Sequence, residues 1–497
     1  PGHSGVYCYG GSWFLNDAAN YLLAGAHGLP AAEVDARLVE RIAQEIAQVP
    51  AFNESISTVD GHPHGHILYS WNSGYWWLRR EIRRRLGQTG PDPVDAAIDR
   101  RLGVVRENGA LVLDPGSVAT GTNYDAGQDP PKLLIGYTEL CTDLPGGRHA
   151  NVRTMRAAIV TVDGSGRRIL AEELAREPDT WTQFAGWSPD GTKTIICRGW
   201  NDPENARWEE EHRTFRMEPG RWLLDSCLLD LKTGDLVNVT AVDRVSHYNG
   251  GLFFMPDGRG LGFTALLDGV SKPFVMDLDG RNKRDLSEKD AGFTYGYSAS
   301  PDGRRISYHE DYQVYIANSD GSEKKRIETG NPFNFGPCWS PDGQWLMLIS
   351  GVRGRSDPYV VRRDGTGLRK LADLNGYQGW ILFLDVDDFH EGSSDVPIWS
   401  SDSKTVFYTA QVGKNVELFQ VTPDGKAEQL TRSPAGTLHY HPQVSPDSRW
   451  LVYGSKRDGV RQLYVMRLAD RFERRITNLK SGHAAMWPRW QLLPEER

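Results

Sequence analysis

One phrase, repeated down the chain, restricts the fold more than any other feature. It reads Trp187-Ser188-Pro189-Asp190-Gly191, Met255-Pro256-Asp257-Gly258, Ser300-Pro301-Asp302-Gly303 and Pro337-Cys338-Trp339-Ser340-Pro341-Asp342-Gly343. It returns as Pro397-Ile398-Trp399-Ser400-Ser401-Asp402 and as His439-Tyr440-His441-Pro442-Gln443-Val444-Ser445-Pro446-Asp447. A short apolar run, a Pro-Asp-Gly turn, a second apolar run and a later Asp-Gly turn describe a small antiparallel sheet. Copies recur roughly every 40 to 65 residues, a spacing that means a propeller or an array.

The two ends of the repeat region complement each other. Leu133 to Tyr137 and Ala157 to Gly164 supply strands without the phrase, whereas Pro488-Arg489-Trp490 supplies the phrase with no strands after it. One blade shared between the ends closes a ring and removes exposed sheet edges. Six internal phrases plus this composite predict an all-β, seven-bladed β-propeller over residues 133–497.

Residues 1–105 are different material. Val34, Leu38, Ile42 and Ile46 recur at helical spacing, so the stretch reads as a helical N-terminal segment. The Gly-, Pro- and Asp-rich residues within 106–132 read as a linker. Trp71, Tyr75, Trp76 and Trp77 are too apolar for a free arm. They imply packing on the propeller, on a protein partner or on a missing domain.

Composition excludes several classes. A net charge of −8 argues against nucleic-acid binding, which needs a basic patch. The five Cys are scattered without metal-ligand spacing. No apolar run approaches the roughly 20 residues of a membrane helix. The start at Pro1 reads as a processed chain or a fragment, and bacterial cytoplasm and periplasm both stay open.

Connectivity selects one face. The turn aspartates supply turn chemistry and are expected to be structural. The long insertions, 199–221 and 374–395, fall on the opposite face, where repeats place binding surfaces. Aligned positions at the channel mouth are polar: Thr182, Asn249, Thr294, Asn334, Ser394 and His439. Asn249, Asn334 and Tyr295 are candidate substrate-binding residues. Side chains two apart on a strand share a face, so His439 and His441 are expected to point together into the channel. Such a pair suits a divalent metal (Mn, Fe or Zn), with Asp395, His390, Glu391 or His247 completing the set. Two structural histidines bonded to backbone are the alternative.

The repeat resembles the TolB-type propeller repeat. The phrase His439-Tyr440-His441-Pro442-Gln443, followed by Trp450-Leu451-Val452-Tyr453, resembles the His-x-His-Pro phrase of the oligogalacturonate lyases. That resemblance implies β-elimination on pectin-derived sugars, a manganese ion held by histidines and a glutamine, and a further histidine as base. His439 and His441 match as ligands. Gly436 stands where the family has its glutamine, and Asp395 where it has another histidine. The segments Tyr9-Gly10-Gly11-Ser12-Trp13 and Ser70 to Trp77 loosely resemble the closing helices of (α/α)-barrel glycosidases.

β-Elimination removes the proton α to a uronate carboxylate. It needs a base near neutrality and a cation on the carboxylate. His247 and His309 are the candidate bases, and Arg353, Arg355 and Arg457 the candidate carboxylate holders. The sequence thus predicts a carbohydrate-active propeller, a metal-assisted lyase on an oligosaccharide substrate. The alternatives are a non-enzymatic propeller that binds protein or glycan, and a glycosidase or its accessory domain. No Gly-x-Ser-x-Gly elbow supports a serine hydrolase.

Overall fold

The computed structural model describes residues 104–107, 110–113, 133–141, 155–212, 216, 220–241, 252–256, 258–267, 270–287, 292–381 and 393–492. The chain divides into two compact units, 1–129 and 130–497. In the first, strands Val104–Glu107 and Ala110–Leu113 form an antiparallel hairpin where a linker was expected to begin. The predicted helices of residues 1–105 lie outside the described residues.

The second unit is a seven-bladed β-propeller. Its described residues form seven four-stranded antiparallel sheets. Blade 1 is composite: His483–Trp490 is its innermost strand and pairs with Leu134–Cys141, which continues to Arg156–Thr161 and Arg168–Ile169. Ile135 faces Trp490 and Cys141 faces His483 across the closure. Blades 2 to 7 then begin at Thr180, Phe253, Thr294, Phe333, Ile398 and His439.

Hydrophobic clusters sit between successive blades, which explains the sequence pattern of the middle strands. Val314, Ile316 and Ile327 of blade 4 meet Trp339, Leu346 and Leu348 of blade 5. Leu418 and Leu430 of blade 6 meet Leu451, Tyr453 and Met466 of blade 7. Trp450–Ser455 and Gln462–Arg467 are buried along their whole length. A strand covered on both faces reads as a continuous apolar run rather than an alternation.

The turn aspartates are structural, as expected. Asp190, Asp302, Asp342, Asp402 and Asp447 each accept a hydrogen bond from the serine two residues earlier. The same Asp302 oxygen accepts the Arg304 N–H at 3.1 Å, and Arg363 adds an ion pair at 3.0 Å. Together these hold its carboxyl at about 2.

The first insertion is a pinned helix. Asp202 caps it by accepting the N–H groups of Glu204 and Asn205, and α1 runs Pro203–His212. Glu209 is buried beneath it and accepts from Trp222 Nε1 at 3.0 Å and from Asn201 Nδ2 at 2.9 Å. These bonds tie α1 to the hairpin that carries it.

Candidate functional site

The inner strands are not regular. Registers shift between Tyr295 and Ser298, between Phe335 and Cys338, and between Tyr440 and Gln443. At these bulges Gly296, Gly336 and His441 take positive φ of 66°, 61° and 48°, and Trp487 takes 50° in blade 1. The bulge positions adjoin one another around the channel. A side chain at Gly296 would meet Gly336 and Pro337, and one at Gly336 would meet Val396. His441 stacks on Trp487 with ring centres 5.8 Å apart.

The bulge also breaks the alternation on which the shared-face expectation rested. His439 is fully buried and turns to blade 6. Its Nε2 lies 2.8 Å from Ser433 Oγ and 3.5 Å from Glu417 Oε2, with the Tyr453 ring edge-on. Burial lowers the imidazole pKa, and Glu417 partly restores it. His439 Nδ1 has no hydrogen-bond partner among the described residues.

His441 stays at the channel with its nitrogens engaged. Nδ1 accepts the Trp487 N–H at 3.3 Å, and the ring also bonds the Ser394 backbone. Burial lowers its pKa to about 3, with the Arg461 and Arg489 charges acting the same way. Its own N–H donates to Asp395 Oδ1 at 2.8 Å. Asp395 Oδ2 accepts from Thr409 at 2.6 Å and from Tyr377 at 3.1 Å. Burial nevertheless raises the Asp395 carboxyl to about 6. As placed, His439, His441 and Asp395 join blades 6 and 7 and do not make a ligand set. No group of three His, Cys, Asp or Glu gathers for a metal among the described residues. His247, Asn249, His390 and Glu391 lie outside them.

Other candidates come together at blades 4 and 5. Tyr295 pairs across the sheet with His309 and meets its ring edge-on at 5.4 Å. His309 lies parallel to Tyr312 at 5.7 Å, Tyr312 stacks on Phe333 at 4.6 Å, and Phe333 meets Phe335 at 5.1 Å. Five rings form a continuous ridge, of which Tyr295 is 38% exposed and Tyr312 45%. His309 itself is buried, which lowers its pKa to about 4 and leaves it neutral at pH 7. Its Nδ1 has no partner among the described residues and lies where a side chain at Gly296 would crowd it.

The hairpin that follows Phe333's partner strand carries two cations. Phe333 pairs with Gly351, and two residues further the hairpin turns at Arg353-Gly354 before Arg355. Two residues of strand span roughly 7 Å. Arg353 and Arg355 are exposed and unpaired among the described residues. Asn334 acts from beneath: its Nδ2 donates to the Tyr312 carbonyl at 3.1 Å, and its Oδ1 accepts from Ser350 at 2.7 Å. Arg457 is engaged elsewhere, bonding Glu473 at 2.5 Å and the Tyr453 hydroxyl at 2.7 Å.

Sequence reasoning missed Tyr312, Phe333 and Glu417. Asp311-Tyr312 in a two-residue hairpin turn was the available signal for the first, since such turns favour Asn-Gly. A glutamate between Val416 and Leu418 was the signal for the last.

The described residues form a seven-bladed propeller, and parts of the chain are similar in sequence to an oligogalacturonate lyase and to a TolB homolog. No family model matches the chain. Over 178 residues it is 22% identical to the oligogalacturonate lyase of Dickeya dadantii, covering 32% of this chain and 44% of that protein. Over 240 residues it is 23% identical to a TolB homolog of Chlorobium luteolum, covering 48% and 51%. The chain thus spans about half or less of the length of these relatives. A solved oligogalacturonate lyase in complex with manganese aligns at TM-score 0.45 and 15% identity, over 70% of this chain and 88% of that one.

Proposed function

We propose that this propeller is carbohydrate-active and cleaves a uronic-acid-containing oligosaccharide by β-elimination at the mouth of blades 4 and 5. One observation supports the reading: a buried, unpartnered His309 Nδ1 lies within a ridge of five rings, and the hairpin of the next blade carries the exposed Arg353 and Arg355. A neutral imidazole can accept the proton α to the carboxylate once the substrate displaces the side chains that cover it. Arg353 and Arg355 suit the carboxylate and the charge that develops on it. The C–H electrons form the new double bond, the C–O bond to the next sugar breaks, and that oxygen takes a proton from water, whose hydroxide takes up the proton held by His309. Burial makes His309 a weak base, and an anionic substrate beside it shifts its pKa back upward. Among the described residues His439, His441 and Asp395 do not gather into a ligand set, and the steps above use side chains alone.

A second reading keeps the ridge and drops the chemistry: a propeller that binds a glycan or protein. The embedding of the His-x-His pair in blade contacts favours it. Turnover separates the two. With trigalacturonate, the protein should generate ultraviolet-absorbing unsaturated product, and His309→Ala should lower the rate by about 100-fold or more. His309 is protonated below its folded pKa, so the acidic limb of the free-enzyme pH profile should lie near 4, not at the usual 6.5. An inactive wild type that still binds the sugar would establish the binding reading.

A further inference from the structure

The closing strand carries a charge that nothing around it balances. In each blade the last paired residue of the innermost strand precedes the turn, and Trp187, Trp339, Trp399 and Trp490 hold that place. The residue before it stands at one level of the ring, on the turn side of the bulges. At that level blades 2 to 7 place Gly186, Phe253, Ser298, Cys338, Ile398 and Gln443, none of them charged. Blade 1 places Arg489 there. Arg489 is exposed, and its Nη1 donates to Gln443 Oε1 of blade 7 at 3.3 Å. Its charge also acts on the Cys338 thiol of blade 5. Blades 1 and 5 are not neighbours, since blades 6 and 7 stand between them in the ring. The guanidinium therefore lies in the central channel rather than in a seam beside its own blade.

Among the described residues no carboxylate bonds to Arg489. The channel walls desolvate the guanidinium and lower its pKa, and only the Cys338 thiol acts the other way. The carboxylates buried in blade 6 are occupied: Asp395 by Tyr377, Thr409 and the His441 N–H, Glu417 by Asn415, Thr431 and Ser433. A desolvated cation without a counter-charge is unfavourable until an anion joins it. We propose that the central channel is a binding site for the carboxylate of a small organic acid, with Arg489 as its holder. The planar guanidinium offers paired N–H groups that match the two carboxylate oxygens. Gln443 fixes the guanidinium through Oε1, and its Nε2, which makes no bond among the described residues, supplies a further donor. One cation balances one carboxylate, whereas a phosphate dianion would leave excess charge between the same walls. The site lies inside the ring and not on the ridge of blades 4 and 5, so it stands whether or not the lyase reading holds.

Thermal unfolding of the full chain in sodium acetate and in sodium phosphate, at an ionic strength held constant with sodium chloride, tests this. The variants are Arg489→Gln and Arg489→Lys. An anion that binds only the folded protein raises the melting temperature with concentration. Acetate should do so in the wild type, and Arg489→Gln should abolish the rise. Without acetate, Arg489→Gln should melt at the same temperature or higher, because an unbalanced charge has gone. Arg489→Lys keeps the charge without the fork and should need at least tenfold more acetate for the same rise. This comparison decides the matter if Arg489→Gln does not fold. Equal acetate responses in the wild type and Arg489→Gln, or none in the wild type, overturn the site. A response to phosphate and not to acetate overturns the carboxylate assignment. Arg489→Lys responding like the wild type overturns the paired contact.

Discussion

Deleting residues 486–497 is expected to destroy cooperative folding of the propeller, not merely trim its end. The strand His483–Trp490 is the innermost strand of blade 1, and Met486 and Trp490 are buried in it. Trp490 Nε1 donates to the Gln443 carbonyl of blade 7 at 3.0 Å, and Trp187 Nε1 of blade 2 donates to the Arg489 carbonyl at 3.1 Å. The strand therefore bonds three blades. Removing Met486 to Trp490 leaves Leu134 to Thr138 as an open edge and exposes the apolar face that blade 7 turns toward it. Losing a Trp and a Met from a core costs about 2–5 kcal/mol each, a large fraction of a typical total stability of about 5–15 kcal/mol. Thermal denaturation followed by circular dichroism should show a non-cooperative or strongly lowered transition. An unchanged melting temperature would mean that the ring closes another way.

Glu417→Ala should be the most damaging single substitution among the polar residues. Glu417 is buried between blades 6 and 7 and accepts hydrogen bonds from Thr431 at 2.5 Å, the Ser433 N–H at 2.8 Å and Asn415 at 2.9 Å, with His439 at 3.5 Å. Burial alone would raise its carboxyl. The bonds from His439, Thr431, Ser433 and Asn415 outweigh burial and hold it well below the usual range. Truncation removes the shared acceptor of these groups from the blade interface and costs about 3–5 kcal/mol. The sign of the pH effect follows from the depressed pKa. The wild type keeps this stabilisation above the ordinary glutamate pKa and loses it as pH falls toward the folded value. Glu417→Ala should therefore be less stable in urea at pH 7, and the gap should narrow in acid. Equal stability of the two proteins at pH 7 would contradict the structural role given to this network.

The ring was legible because it rests on local chemistry. Pro-Asp-Gly turns recur, middle strands read as apolar runs, and two half-repeats fit one blade. The facing of His439 and His441 was not. It depends on a left-handed bulge at His441, which that sequence gives no reason to expect, whereas the equivalent bulges at Gly296 and Gly336 carry glycine. Tyr295, His309 and Arg355 were each singled out from their mouth positions. Their assembly with Tyr312 and Phe333 was not, because it needs two hairpins of neighbouring blades to be placed side by side. Asp395 was visible as a substitute in the lyase phrase, but its bonds to Tyr377, Thr409 and the His441 N–H are tertiary.

A crystal structure of the full chain with trigalacturonate tests the central claim most directly. The account predicts sugar at the ridge of blades 4 and 5, with a carboxylate at Arg353 or Arg355 and a C–H next to a carboxylate facing His309 Nδ1. Sugar bound at His439 and His441 with the ridge empty would contradict it.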